Sequence, residues 1–96
     1  MSRLLTYHTD PGHGWLQVSQ TDLDDVGLSY TDFSSCSYTD SKFLFLEEDC
    51  DMAVFMLAFR AKHGKLPSIN EIYADPCFVR DLPANDRVNP IKGEAQ

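Results

Sequence analysis

Two histidines and an aspartate lie close together near the start of the chain, within the segment YHTDPGHGW at residues 7–15. In an extended segment His8 and Asp10 point to the same side, and a turn could return His13 toward them. Two imidazoles and a carboxylate suit zinc or another divalent metal. The alternative is structural, because Asp10 starts a favourable β-turn whose Pro11-Gly12 pair is typical of type II. We favour the turn, since no HExxH or comparable longer motif completes a set of ligands.

A second group of chemically capable residues is the acidic run EEDCD at residues 47–51. Paired carboxylates can transfer protons or bind a cation. The spacing lacks the EF-hand pattern and its central glycine. The run stands just before an apolar helical segment, where acidic side chains bind free amides and oppose the helix dipole. We therefore predict that the run caps the main helix.

The three cysteines, Cys36, Cys50 and Cys77, form an odd set without a CxxC spacing. A disulfide framework or a cysteine-rich zinc site is therefore disfavoured, and small semi-buried thiols in a reducing cell are expected. The acidic neighbours of Cys50 oppose formation of a thiolate. The sequence also lacks GxGxxG, GxxxxGK[ST] and GxSxG motifs. We expect neither an enzyme nor a cofactor.

The net charge of −7 is concentrated in the first half of the chain. Residues 1–51 carry two basic and ten acidic residues, whereas residues 52–96 carry six basic and five acidic ones. Such a field repels nucleic acid and attracts basic surfaces, although acidity also serves solubility alone. No run approaches the ~20 apolar residues that span a bilayer. We expect a cytoplasmic protein without direct nucleic-acid or membrane binding.

The hydrophobic pattern predicts one α+β domain, an antiparallel sheet of three to five strands packed against one main helix at about residues 50–63. Strands are expected at residues 4–8, 15–18, 42–46 and 67–74. In the last of these, Ile69, Ile72 and Tyr73 are predicted to face inward. Residues 1–82 should form the domain, and residues 83–96 a flexible tail.

The motifs YHTDPGHGWL, SCSY and LEEDCD resemble those of a family of small phage and prophage proteins of uncharacterised function. The resemblance covers residues 5–63, and the later Phe78-Val79-Arg80 resembles a short element of the same family. It implies a bacterial host cell and makes a host-directed or accessory role plausible. It carries over no catalytic residue.

The leading hypothesis is a non-enzymatic, phage-type accessory protein that binds a host or phage protein with a basic surface. Aromatic side chains supply contact area and acidic ones steer association. The candidate contacts are Trp15, Tyr30, Asp32, Tyr38, Glu47 and Glu48. One alternative is a metal-binding protein or metal-dependent enzyme centred on His8, Asp10 and His13. Another is a structural or self-assembling phage component, and the oligomeric state is left open.

Overall fold

The computed structural model describes residues 4–85 as a five-stranded mixed sheet with one main helix, which confirms the predicted α+β class. The strand order across the sheet is β3-β4-β2-β1-β5. The elements in chain order are β1 (Leu4–Thr9), β2 (Gly14–Ser19), α1 (Gln20–Asp25), the 3₁₀ helix Tyr30–Asp32, β3 (Tyr38–Thr39), β4 (Phe43–Glu47), α2 (Met52–His63), β5 (Ser68–Tyr73) and the 3₁₀ helix Phe78–Asp81. Among the described residues, no helix is long and apolar enough to cross a bilayer.

The strands predicted at residues 4–8 and 15–18 are β1 and β2, which form a hairpin with Thr9 opposite Gly14 at its end. The Asp10 carboxylate closes the connecting turn by accepting hydrogen bonds from the amides of Gly12 (2.9 Å) and His13 (3.0 Å). A type II turn would need a positive φ at Gly12, and among the described glycines only Gly27 and Gly64 have one. The predicted turn type is therefore wrong, and a backbone bond from the Asp10 amide to the His13 carbonyl (3.0 Å) closes the turn together with the Asp10 side chain.

The sheet buries apolar side chains on both faces, since successive residues of a strand point to opposite sides. One face packs under α2, and its core consists of Leu5, Leu16, Val18, Leu23, Phe33, Leu44, Leu46, Phe55 and Phe59. The other face carries a smaller cluster of Trp15, Phe45, Cys77 and Val79. The chain after β5 covers this second face, and that covering brings the C-terminal segment next to the hairpin turn.

Helix α2 begins at Met52, two residues after the predicted start, and ends at His63 as predicted. Gly64 adopts φ 78° and donates its amide to the Arg60 carbonyl at 2.8 Å, which is a left-handed C-cap. The predicted acidic cap is wrong. Asp51 occupies the N-cap position without a side-chain capping bond, and the first turn contains no acidic residue. The carboxylates of the run have other partners, described below.

Strand β5 pairs in parallel with β1, so the sheet is mixed rather than wholly antiparallel. All six of its residues are exposed. The predicted inward orientation is therefore wrong for Ile69 (38% exposed), Ile72 (46%) and Tyr73 (62%). The apolar pattern identified a strand correctly, but the strand lies at the edge of the sheet and neither of its faces is covered by other residues of the described range 4–85.

Residues 83–85, which were expected to begin the flexible tail, pack against the domain. The Pro83 carbonyl accepts a hydrogen bond from the Thr39 amide (2.9 Å), and the Asn85 amide donates to the Ser37 carbonyl (2.7 Å). The Asn85 side chain donates to the carbonyls of Tyr30 and Phe33. The rest of the predicted tail lies outside the described residues.

Candidate functional site: an acidic cleft and an open sheet edge

The proposed metal ligands His8, Asp10 and His13 do not converge, because Asp10 binds the C-terminal segment. Its side chain is 2% exposed, and both carboxylate oxygens accept hydrogen bonds from the Arg80 guanidinium. These bonds, with those from the amides of His13, Gly12 and Cys77, hold the pKa of Asp10 well below its ordinary value. Asp10 thus forms an ion pair that links the hairpin turn to the 3₁₀ helix Phe78–Asp81.

His8 points to the second face of the sheet and is packed there as a structural residue. Its Nε2 lies 2.7 Å from the Gln17 amide oxygen on the neighbouring strand. Its ring meets Phe78 edge-on at 5.0 Å between centroids, and Phe45 at 5.8 Å. With one nitrogen bonded and the ring enclosed by aromatic neighbours, His8 stands apart from the carboxylates of the acidic run.

His13 joins the acidic run instead. Its Nδ1 lies 3.0 Å from the Glu47 carboxylate, although the two residues are 34 positions apart in sequence. They line a cleft of about 390 Å³, whose walls are formed by His13, Trp15, Cys36, Tyr38, Glu47, Asp49, Cys50 and Arg80. The cleft lies where the hairpin turn, the end of β4 and the C-terminal segment meet.

Several carboxylates gather at this end of the sheet. One side-chain atom from each of His13, Glu47, Glu48 and Asp49 lies within 4.8 Å of the others, which is a spacing that could hold a metal ion. Glu48 also accepts a hydrogen bond from the Tyr7 hydroxyl at 2.6 Å. Burial and this bond to a carboxylate raise the pKa of Tyr7 above its ordinary value, so the phenol stays protonated.

Asp51 fixes the loop that forms the far wall of the cleft. One of its oxygens accepts hydrogen bonds from the amide and hydroxyl of Ser34 (3.0 and 2.9 Å) and from the Ser37 hydroxyl (2.6 Å). This arrangement holds Cys36 against Cys50. A hydrogen bond with the Cys36 thiol, together with desolvation and the Glu47 carboxylate, raises the pKa of Cys50 to about 12. The raised pKa keeps the Cys50 thiol protonated. It therefore does not activate Cys50 as a nucleophile, because the thiolate is the reactive form.

The predicted partner contacts do not form one exposed surface. Trp15 is 2% exposed and Glu47 is 7% exposed, so the expectation that they present side chains to a partner is wrong for both. Trp15 packs beneath Arg80, whose guanidinium carbon lies 5.3 Å from the indole centroid. Tyr38 lines the cleft beside them, and Glu48 borders it.

Tyr30 and Asp32 lie apart from the cleft, in the 3₁₀ helix Tyr30–Asp32. The Asp32 carboxylate accepts a hydrogen bond from the Ser29 amide at 2.8 Å and so helps to cap that short helix. Asp32 is exposed, whereas Tyr30 is half-buried and packs against the core beneath α2. Their surroundings favour a structural role over a shared contact surface.

An uncovered apolar feature of the described chain is the outer side of β5, which we call the open edge. Only β1 neighbours this strand within residues 4–85. Ile69, Ile72 and Tyr73 are exposed on it, and Leu4 (60% exposed) lies beside it at the start of β1. Sequence reasoning missed this surface because alternation in a strand indicates which residues share a face, not whether anything covers that face.

Comparison with known proteins adds no assignment, because no protein-family model, curated protein or solved structure matches the chain. The geometry alone therefore defines two candidate sites at different places on the sheet. The cleft offers an imidazole, carboxylates and thiols. The open edge offers backbone hydrogen-bonding groups and apolar side chains.

Proposed function

We propose that this is a non-enzymatic accessory protein that binds a protein partner through the open edge, where an extended segment of the partner adds a strand beside β5. The observation that carries the proposal is the exposure of all six residues of Ser68–Tyr73, among them Ile69, Ile72 and Tyr73. Strand addition uses main-chain hydrogen bonds for affinity and side-chain contacts for specificity.

The backbone groups available to a partner follow from the pairing with β1. The Ala74 amide donates to the Thr9 carbonyl at 2.9 Å, so residue 74 directs its backbone toward β1. Since backbone groups alternate in direction along a strand, those of Asn70 and Ile72 also face β1. The amides and carbonyls of Ile69, Glu71 and Tyr73 face outward, where a partner strand could bind them.

Within residues 4–85, the open edge has few of the features by which proteins usually discourage strand addition. Edge strands are commonly protected by lysine, proline, a bulge or a covering loop. Strand β5 contains neither lysine nor proline, and its pairing with β1 runs without interruption from Leu4–Ser68 to Thr9–Tyr73. Its one charged side chain, Glu71, accepts a hydrogen bond from the Thr9 hydroxyl at 3.1 Å.

The partner we propose is a host or phage protein that offers an extended apolar segment within a basic surface. The net charge of −7 would accelerate the encounter with such a surface, while the new strand would supply the lasting contacts. The resemblance to small phage proteins motivates the host-directed setting. Four of the earlier candidates, Trp15, Tyr38, Glu47 and Glu48, lie in or beside the cleft and are not part of this interface.

The substitution Glu71→Pro tests the interface because it removes one outward amide and leaves the amides that bind β1 in place. Proline is tolerated on the solvent side of an edge strand. Glu71→Ala is the matched control, since it removes the same carboxylate and keeps the amide. Tag-free wild-type protein and both variants would be coupled to a resin and incubated with lysate of the source organism, and the captured proteins would be compared by mass spectrometry.

We expect one protein to be captured by the wild type and by Glu71→Ala, and lost with Glu71→Pro. Equal capture by all three would contradict binding at the open edge, provided that Glu71→Pro melts like the control. Sedimentation tests for self-association: a concentration-dependent dimer that Glu71→Pro abolishes would show that a second copy of this chain occupies the open edge. That result would replace the proposed function by self-assembly.

A further inference from the structure

We propose that two copies of this chain associate through the outer face of α2, with the two helices antiparallel about a two-fold axis. The outer face consists of five exposed residues, Ala53, Val54, Leu57, Arg60 and Ala61. This inference does not depend on the proposed function, because the outer face belongs to α2 and the open edge belongs to β5. It names a second copy as the occupant of a surface that residues 4–85 leave uncovered.

The outer face is apolar although it points away from the core. Helix α2 packs on the sheet through Phe55 and Phe59, which are 1% and 5% exposed. On the other side, Val54 is 41% exposed and Leu57 is 66% exposed. A surface helix normally carries polar residues on that side. Arg60 is the single charged residue of the five, so covering this face would bury aliphatic surface and stabilise the contact.

The helical repeat collects the five residues on one side. Successive residues turn by about 100°, so residues three or four positions apart lie on the same side of a helix. Ala53, Leu57 and Ala61 follow one another at intervals of four. Their row places a large side chain between two small ones, which lets a second helix approach to the ~8–10 Å axial distance of packed helices.

The two ends of α2 carry opposite charges, and this argues for a second copy as the partner. The helix begins after the acidic run, in which Asp49 is exposed. Near its end, Arg60 and Lys65 are exposed cations without an ion-pair partner among residues 4–85. The other basic side chains at this end already bind Asp25. Each end of the helix thus offers the charge that the opposite end of a second copy could pair with.

An antiparallel arrangement centred on Leu57 satisfies both the apolar row and the charges. Leu57 lies at the middle of α2, so residues equally far before and after it meet across the two-fold axis. Ala53 of one copy then faces Ala61 of the other, and Asp49 faces Lys65. A parallel arrangement would instead place like charges together at each end. The antiparallel contacts are also made twice, because a two-fold interface repeats each of them.

The size of the outer face predicts a weak, reversible dimer. The 12 residues of α2 extend over ~18 Å, so their outer face buries less than the ~800 Å² per partner of a standard stable interface. Concentration should therefore control the association. An anionic lipid surface is a poorer occupant, because the net charge of −7 would oppose its approach.

Sedimentation velocity of reduced, tag-free protein, from low micromolar concentration to about 1 mM, tests the dimer. Leu57→Glu is the test variant, because it puts two like charges next to the two-fold axis and keeps a good helix former at an exposed position. Leu4→Glu is the matched control, since it makes the same change at a residue that is 60% exposed and belongs to β1. Circular dichroism checks that both variants keep the fold.

We expect the wild type and Leu4→Glu to dimerise as the concentration rises, and Leu57→Glu to weaken the dimer about tenfold or more. Glu71→Pro should leave the dimer unchanged, which separates this interface from one at the open edge. A wild-type protein that stays monomeric at about 1 mM would overturn the proposal. A dimer that Leu57→Glu does not weaken would overturn it as well.

A reversal of charge tests the antiparallel arrangement. Asp49→Lys and Lys65→Asp should each weaken the dimer about two- to tenfold, because each variant creates two contacts between like charges. The double variant should recover wild-type dimerisation, since opposite charges again meet across the axis. A double variant that dimerises no better than the single ones would contradict the antiparallel pairing.

Discussion

The cleft and the open edge differ in how their polar groups are paired. In and around the cleft, Asp10, Glu47 and Asp51 are buried carboxylates, and each accepts at least two hydrogen bonds. At the open edge, the outward backbone groups of β5 have no neighbouring strand within the described residues. Buried polar groups must be paired inside the protein, whereas exposed ones can form hydrogen bonds with water or with a partner.

This difference separates residues that hold the fold together from residues that can change partner. The cleft joins the hairpin turn, the end of β4 and the C-terminal segment through side chains far apart in sequence. Losing one of those side chains leaves others buried and unpaired, which is costly. A side chain of the open edge has little packing to lose, so its substitution should affect binding far more than stability.

The largest expected effect is in the core beneath α2. Phe55 is 1% exposed, and Phe55→Ala should lower the free energy of unfolding by about 3–5 kcal/mol, because it removes a large buried ring and leaves a cavity. Urea denaturation monitored by circular dichroism measures this loss. A loss below about 1 kcal/mol would remove Phe55 from the core.

A smaller loss is expected at the wall of the cleft. The Ser37 hydroxyl is buried, donates to Asp51 at 2.6 Å and accepts from the Glu47 amide at 3.1 Å. Ser37→Ala should cost about 1–3 kcal/mol, because it leaves a buried amide without its acceptor. The exposed Ser35→Ala is a suitable control in the same loop. Equal stability of the two variants in urea would show that the network does not hold the loop.

Acid should weaken the tie between Asp10 and Arg80. The folded-state pKa of Asp10 lies below its unfolded value of about 3.9, so the stability it contributes is complete above that pH and is lost as the pH falls further. Asp10→Asn should therefore be less stable than the wild type near neutral pH, with a smaller difference at about pH 3. Urea melts at both pH values test this, and a constant difference would contradict it.

The smallest effect on stability is expected at the open edge. Tyr73 is 62% exposed, and Tyr73→Ala should change the free energy of unfolding by no more than about 0.5 kcal/mol. The same substitution should weaken partner capture, because it removes an exposed aromatic side chain beside the added strand. A clear loss of stability without a loss of capture would contradict the view that the open edge serves binding and the cleft serves stability.

The sequence predicted the elements better than their surroundings. The strand expected at residues 42–46 and the helix expected at about residues 50–63 lie close to the observed β4 and α2, because hydrophobic periodicity reports local geometry directly. The capping box at the start of α1 is equally local, since the hydrogen bonds between Ser19 and Asp22 join residues only three apart. Such features depend on neighbours in the chain.

The cleft could be predicted only in part. The sequence singled out His13 and Glu47, but as members of different groups, and their contact spans 34 positions. The Asp10–Arg80 pair spans 70 positions, and no local pattern announces it. The turn interpretation of Asp10 was sound in kind, because its carboxylate does close the turn. Its second role, the ion pair with Arg80, could be recognised only from the path of the C-terminal segment in the structure.

Hydrogen–deuterium exchange at β5 tests the central claim most directly. In the isolated protein, the amides of Ile69, Glu71 and Tyr73 should exchange quickly, while those of Asn70 and Ile72, which face β1, should be protected. When the protein captured in a Glu71-dependent manner is added, the three outward amides should become protected and the protection within β2 should stay unchanged. Outward amides that still exchange quickly in the complex would contradict strand addition at the open edge.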